Sequence, residues 1–221
     1  MREFFIKDNG PCCVEKAFKM IGARWTPRIL ELCYLHSGMD LREFRQELPT
    51  CPETTLSRRL ESLQEDGLLQ YNTETRAYAL TMQATDILPI MLHMQHLTLL
   101  CKHTSSGYGH AVEFVYKLIG EKWKAKILWI IHAKETVRFN ELLRSIEGLS
   151  HKVLSERLED LEKSGLVNRI DYQEKSPRVE YTLTQTGKFA YQIICEISIW
   201  GYKYELSLIH ISEPTRPEPI S

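Results

Sequence analysis

The feature that most constrains this chain is that it repeats itself. At an offset of about 98 residues, Val14-Glu15 meets Val112-Glu113, Ile21-Gly22 meets Ile119-Gly120 and Trp25 meets Trp123. The register then runs without a gap through Ile29-Leu30 on Ile127-Leu128, Leu56-Ser57 on Leu154-Ser155, Arg59-Leu60-Glu61 on Arg157-Leu158-Glu159 and Gly67-Leu68 on Gly165-Leu166. Only after Tyr71 does the offset grow by about five, where Tyr78 pairs with Tyr181, so the first copy makes the shorter excursion there. A repeat of roughly 90 to 100 residues is the length of one small domain. The expected organisation is a first domain at residues 1–104, a second at 105–206 and a closing stretch, 207–221, that belongs to neither. That stretch ends in a Pro-rich run that cannot continue a helix, and it is set aside as a non-native or disordered tail.

Apolar periodicity inside each copy predicts four helices, a hairpin and a last helix. In the first copy Val14, Ala17, Phe18 and Ile21 mark a helix that Gly22 stops. Ile29, Leu30, Leu32 and Cys33 mark a second, and Leu41, Phe44 and Leu48 a short third. The fourth carries one stripe, Leu56, Leu60 and Leu63, ending at Gly67, and Thr50 three residues before Glu53 reads as its capping box. Its counterpart starts near Ser150. Hairpins follow, Leu68 to Asn72 with Tyr78 to Thr81 and Leu166 to Tyr172 with Val179 to Thr184. Each copy closes on a long apolar helix, Ala84 to about Cys101 and Gln185 to about Tyr204. The fold class is mainly α with small β-hairpin wings: two tandem winged helix-turn-helix domains, an order in which the helix before the wing enters the DNA major groove.

Charge limits how such a chain could use DNA. Lys and Arg number 28 against 29 Asp and Glu, a formal net charge of −1, so bulk positive charge is excluded and any nucleic-acid site is a local patch. The N-terminus, Met1 to Asp8, has neither the apolar run nor the cleavage site of a signal peptide, and no apolar run approaches the ~20 residues that span a bilayer. A cytoplasmic location is expected, with no membrane partner. Six cysteines, Cys12, Cys13, Cys33, Cys51, Cys101 and Cys195, without a CxxC pair, suit reduced thiols.

At the level of residues the chain resembles the HxlR-type transcriptional regulators of the wider MarR-like winged-helix group. The second copy carries the closer set: Leu118-Ile119-Gly120-Glu121-Lys122-Trp123, Arg138-Phe139-Asn140-Glu141-Leu142, Val153-Leu154-Ser155-Glu156-Arg157-Leu158 and Pro177-Arg178-Val179-Glu180-Tyr181. The first carries Cys12-Cys13-Val14-Glu15-Lys16-Ala17, Ile21-Gly22-Ala23-Arg24-Trp25 and Leu56-Ser57-Arg58-Arg59-Leu60, and its wing lacks the Pro-Arg-Val-Glu-Tyr segment. The resemblance covers about residues 12 to 204 and implies a sequence-specific regulator of transcription bound to a double-stranded DNA operator. It also implies dimerisation through terminal helices, so this tandem chain is either an intrachain pseudo-dimer or a homodimer. Cys12 aligns with the N-terminal cysteine that many such regulators use to sense oxidants or electrophiles, which makes it the candidate thiol sensor. A small-molecule or oxidant effector follows. Cys13 stands where the family usually has proline, and the equivalent of Cys12 in the second copy is His110.

With the leucine stripe inward, 100° per residue turns Thr54, Arg58 and Glu61 outward, flanked by Thr55 and Ser57. Hydroxyls and an arginine in a first turn suit base edges and phosphates, although such a face is otherwise an ordinary solvated surface. The second copy offers His151, Lys152, Ser155 and Glu156, so an acid replaces Arg58 and the halves are expected to read different sequences. Arg59 and Arg157 flank the stripe, placed for a phosphate or for internal pairs with Glu43 and Glu141. On the wings, Arg76, Lys175 and Arg178 are placed to lean on the backbone or the minor groove.

Other residues draw blander readings. Trp25 and Trp123 are expected to pack in the core rather than form a ligand cage. His93, His96, Cys101 and His103 have one metal-like spacing but no second ligand cluster, and neither metal nor other cofactor is expected. No phosphate loop, GxSxG or HExxH is present, and no enzyme is expected. Two rivals stand beside the regulator. One is a winged-helix pair for protein contact with DNA affinity lost; the other is a redox enzyme using Cys12 and Cys13.

Overall fold

The computed structural model describes residues 13–103, 108–172 and 178–211. In the first half the elements are α1 (Cys13–Ile21), α2 (Thr26–Leu35), α3 (Leu41–Glu47), α4 (Glu53–Glu65), β1 (Leu69–Asn72), β2 (Ala77–Leu80) and α5 (Met82–Leu100). The second half repeats them as α6 (Tyr108–Val115) with a π-helical turn at Tyr116–Gly120, α7 (Lys124–Lys134), α8 (Phe139–Ser145), α9 (His151–Lys163), β4 (Val167–Asp171), β5 (Val179–Leu183) and α10 (Gln185–Ile211). It adds a two-residue strand, β3 (Val137–Arg138), that pairs antiparallel with β5. The predicted order is present in both halves. The last helix runs on through Ile211, past the boundary set at residue 206 from the sequence.

The repeat extends to backbone geometry. Trp25 and Trp123 occupy the N-caps of α2 and α7 with φ of 76° and 78°, in the left-handed region. That conformation costs a non-glycine residue ~1–2 kcal/mol, and both indoles are half-buried against the core, which offsets it. Thr81 and Thr184 cap α5 and α10 in the same way, each hydroxyl donating to the carbonyl of the glycine that ends the preceding helix, Gly67 or Gly165, at 2.6 Å.

One expected cap is absent. Thr50 does not cap α4; its N-cap is Pro52, with no side-chain hydrogen bond. A residue before proline is driven out of the α region, so Cys51 cannot begin the helix and the start moves past Pro52. The capping box belongs to α3, where Asp40 Oδ1 accepts from Glu43 N–H and Glu43 accepts from Asp40 N–H.

Buried side chains of both halves form one continuous core. The helices that close the two copies, α5 and α10, pack on each other, and the first helices are exchanged: α1 lies against α10, while α6 lies against α5 and α2. Across the seam Trp200 donates its indole N–H to the Gln83 carbonyl at 3.0 Å, and Asp86 accepts from Lys203 and Tyr204. Close approach demands glycine at 120, where an added Cβ would meet the Tyr116 ring at 2.6 Å and the Phe18 ring at 3.0 Å. The histidines of the metal-like spacing serve this packing. His93 and His96 present edges to Phe189, and His103 stacks on Phe114. Among the described residues no helix is long and apolar enough to cross a membrane.

Candidate nucleic-acid interface

In the first half, α4 buries Leu56, Leu60 and Leu63 completely. The 100° rotation therefore leaves Thr54, Arg58 and Glu61 exposed, with Thr55, Ser57 and Arg59 half-buried at the flanks. Arg58 has no ion pair among the described residues. α3 lies before it in the chain and contributes Arg42, exposed and likewise unpaired among the described residues, and Arg45, paired with Glu53 at the start of α4. The sequence reading passed over Arg42. Its signal was there, since Leu41, Phe44 and Leu48 define a stripe and residue 42 falls off it.

The first wing is short. β1 and β2 pair antiparallel, with Tyr71 against Tyr78 at 4.9 Å between ring centres. Asn72 Oδ1 accepts from the N–H groups of Glu74 and Thr75, which closes the turn and brings Arg76, exposed and at φ 56°, to its far corner.

The second half is the same frame with its charges tied up. Ser150 caps α9, accepting from Val153 N–H at 3.3 Å, and Leu154, Leu158 and Leu161 are buried. His151, Lys152, Ser155 and Glu156 are exposed. Lys152 faces Glu156 at 4.0 Å and His151 leans on Phe139 at 4.5 Å. In the second wing the buried carboxylate of Glu180 accepts from Arg178 at 2.9 Å, Tyr172 at 2.9 Å and Arg138 at 3.4 Å. These donors hold its carboxyl below the ordinary range, Arg178 first. Arg178 also lies over the Tyr172 ring at 4.4 Å, so it is spent inside the wing. Lys175 lies outside the described residues, as does Cys12.

The paired arginines separate the halves most clearly. Of the two roles open to them, a phosphate contact or a pair with Glu43 and Glu141, neither arginine makes the pair: Glu43 is used in the α3 cap and Glu141 binds Lys134. Arg157 instead reaches Glu121 at 3.0 Å and Asp160 at 3.5 Å, beside the nearly buried Lys124. At the equivalent places the first half has Ala23, Ser62 and Thr26. Arg59 therefore keeps no ion pair among the described residues; the Nε of each arginine is buried without a hydrogen bond, so the two differ in their ion pairs alone. Arg59 pulls on the carboxyl of Asp66, which burial nonetheless pushes up. Sequence periodicity placed both arginines beside the stripe but could not see which acids the turns would deliver.

Each half thus presents a helix pair, an outward helix and a hairpin wing, which defines a tandem winged helix-turn-helix protein. The HxlR-like helix-turn-helix family matches residues 20–104 and again residues 118–207, and the chain belongs to that family. Among its relatives is the HTH-type transcriptional regulator YdzF of Bacillus subtilis, 37% identical over 89 residues, which span 40% of this chain and 82% of the relative. A regulator of Methanothermobacter thermautotrophicus is 39% identical over 97 residues, 44% of this chain and 73% of its own. Among solved structures, a MarR-family regulator from Enterococcus faecalis V583 is similar at 31% identity and a TM-score of 0.45, covering 48% of this chain and 96% of that one. The chain is a DNA-binding transcriptional regulator of the HxlR type.

Proposed function

We propose that one chain does the work of two on a single operator: α4 and α9 enter successive major grooves, and the two wings flank them. The observation that carries this is the seam between α5 and α10, which joins the two reading heads through a shared core instead of a linker. Recognition helices that serve adjacent half-sites stand ~34 Å apart. Thr54, Thr55, Ser57, Arg58, Arg59 and Arg76 carry the first half-site and His151, Lys152, Ser155 and Lys175 the second, where Arg157 and Arg178 brace the reading head through their acid partners instead of meeting phosphate. The first half binds phosphate harder, because Arg58 and Arg59 are unpaired among the described residues where Glu156 and the Glu121 pair stand in the second. The protein acts in the cytoplasm without catalytic chemistry or a resident cofactor.

Cys12 is the thiol through which oxidants or electrophiles release the DNA. It precedes α1, whose N–H groups favour a thiolate, and α1 lies on the other half's last helix, so a modification there bears on the seam. Selection of bound sequences from random DNA, with light scattering of the complex, tests the reading. One chain on one bipartite site of unequal halves supports it. Two chains on a palindrome, or binding without sequence preference, overturns it.

A further inference from the structure

One cleft is open in the first half and filled in the second. A cavity of about 250 Å³ lies between α2 and α5, lined by Glu31 and Tyr34 from one helix and Leu88, Pro89, Met91 and Leu92 from the other. That is just under the ~300 Å³ at which small-molecule sites begin. In the second half the repeat sets Trp129 where Glu31 stands, Tyr191 for Leu88 and His132 for Tyr34. There His132 stacks on Tyr191 at 4.0 Å between ring centres, and Trp129 and Tyr191 pack against the core. The frame is shared, so the opening belongs to the side chains of the first copy.

Apart from the Tyr34 hydroxyl, which can donate or accept, the polar groups that decide the charge of this cleft are acceptors. Glu31 is largely buried, its side chain 12% exposed, and it pairs with Arg28, which reaches Oε2 at 2.7 Å. Arg28 is shared with Glu47 at 3.9 Å, so two carboxylates surround one guanidinium and the mouth keeps one negative charge. Pro89 has no N–H, which leaves the carbonyl of Thr85, another lining residue, without its helical donor. An apolar slot with a buried carboxylate and an unmatched carbonyl suits an apolar molecule ending in a cationic N–H donor.

We propose that this cleft is an effector site for small lipophilic ammonium compounds, of the size of an arylalkylamine. It rests on the reading of the chain as a DNA-binding regulator only for its consequence. A ligand wedged between α2 and α5 moves the first reading head against the seam helix and changes operator affinity.

The test uses 4-phenylbutylammonium, with 5-phenylvalerate and 4-phenylbutanol as anionic and neutral controls, titrated calorimetrically into the full chain. Saturable binding of the ammonium alone is expected, weakened about tenfold by Glu31→Gln. The double substitution Glu31→Trp with Leu88→Tyr, which copies residues the second half already accommodates, should abolish it. Circular dichroism and thermal unfolding report whether that variant folds, and Leu88→Tyr alone gives a milder filling of the slot. Equal binding of all three probes, no binding, or binding untouched in folded filled variants overturns the site. An ammonium that binds without shifting operator affinity overturns its role as effector. A chain that binds the ammonium but no DNA overturns the regulator reading and leaves the site standing.

Discussion

His93 and Glu196 lie 2.7 Å apart across the seam, Nδ1 to Oε2, and they are the same position of the repeat, 103 residues apart. In a two-fold interface a residue that meets its own counterpart marks the axis. The pseudo-two-fold axis of this chain therefore passes between these two side chains. In a homodimer that place would hold His against His or Glu against Glu; duplication within one chain has allowed a complementary pair.

His93→Glu should set two carboxylates face to face there. Both side chains are partly exposed, 43% and 25%, so the cost is modest, about 1 kcal/mol, and reduced by salt. Urea unfolding at low and high ionic strength measures it. Glu196→Gln, which removes the charge without adding repulsion, should cost less.

Arg59 and Arg157 should respond in opposite ways to alanine. Arg157→Ala breaks the contacts with Glu121 and Asp160 and should lower stability by about 2 kcal/mol, with little specific loss of DNA affinity. Arg59→Ala should change stability by no more than about 1 kcal/mol yet weaken operator binding. Thermal unfolding beside a DNA titration separates them.

Arg58→Ala should weaken operator binding by ~1 to 3 kcal/mol and relax preference at one base position, whereas Glu156→Ala should leave affinity unchanged or raise it. Arg76→Ala should weaken binding evenly across sequences and reduce the salt slope by about one. Equal losses for Arg58→Ala and Glu156→Ala would remove the asymmetry between half-sites.

Acid should loosen the second wing through Glu180. Its folded pKa is held below the ordinary value of 4.5, so the stability it lends is complete above pH 4.5 and disappears as pH falls through the lower folded value. Glu180→Gln should flatten the stability profile in that acid window only. Unfolding midpoints between pH 3 and 6 on both proteins would show it, with ~pH 6 as the unaffected reference.

Burial pushes the Cys33 thiol up to about 12, so it should resist iodoacetamide at neutral pH. Burial also raises Cys101 and Cys195. Mass spectrometry of the partly alkylated protein should find Cys12 modified first, and Cys12→Ser should abolish oxidant-dependent loss of DNA binding. Alkylation of Cys33 at a rate equal to Cys12 would sink the sensor assignment.

What the sequence settled by itself was local or repetitive. Period and punctuation set the order of helices and hairpins in both copies, though not every end, because Leu56, Leu60 and Leu63 can be buried together only on a helix and Gly67 can end one at positive φ. The same arithmetic turned Thr54 and Arg58 outward, and the offset announced two copies of one fold. Tertiary structure decided what depends on distant partners. Proline geometry at Pro52 overrode the Thr50 cap, and the turn before α7 brought Glu121 to Arg157 while its equivalent gave Arg59 only Ala23. Packing of α5 on α10 put His93 opposite Glu196, and left the cleft beside Glu31 open where Trp129 and Tyr191 fill its twin. Periodicity reports which face of an element is buried. Which residue of another element it meets is decided only when the elements dock, and here those meetings are what set the two halves apart.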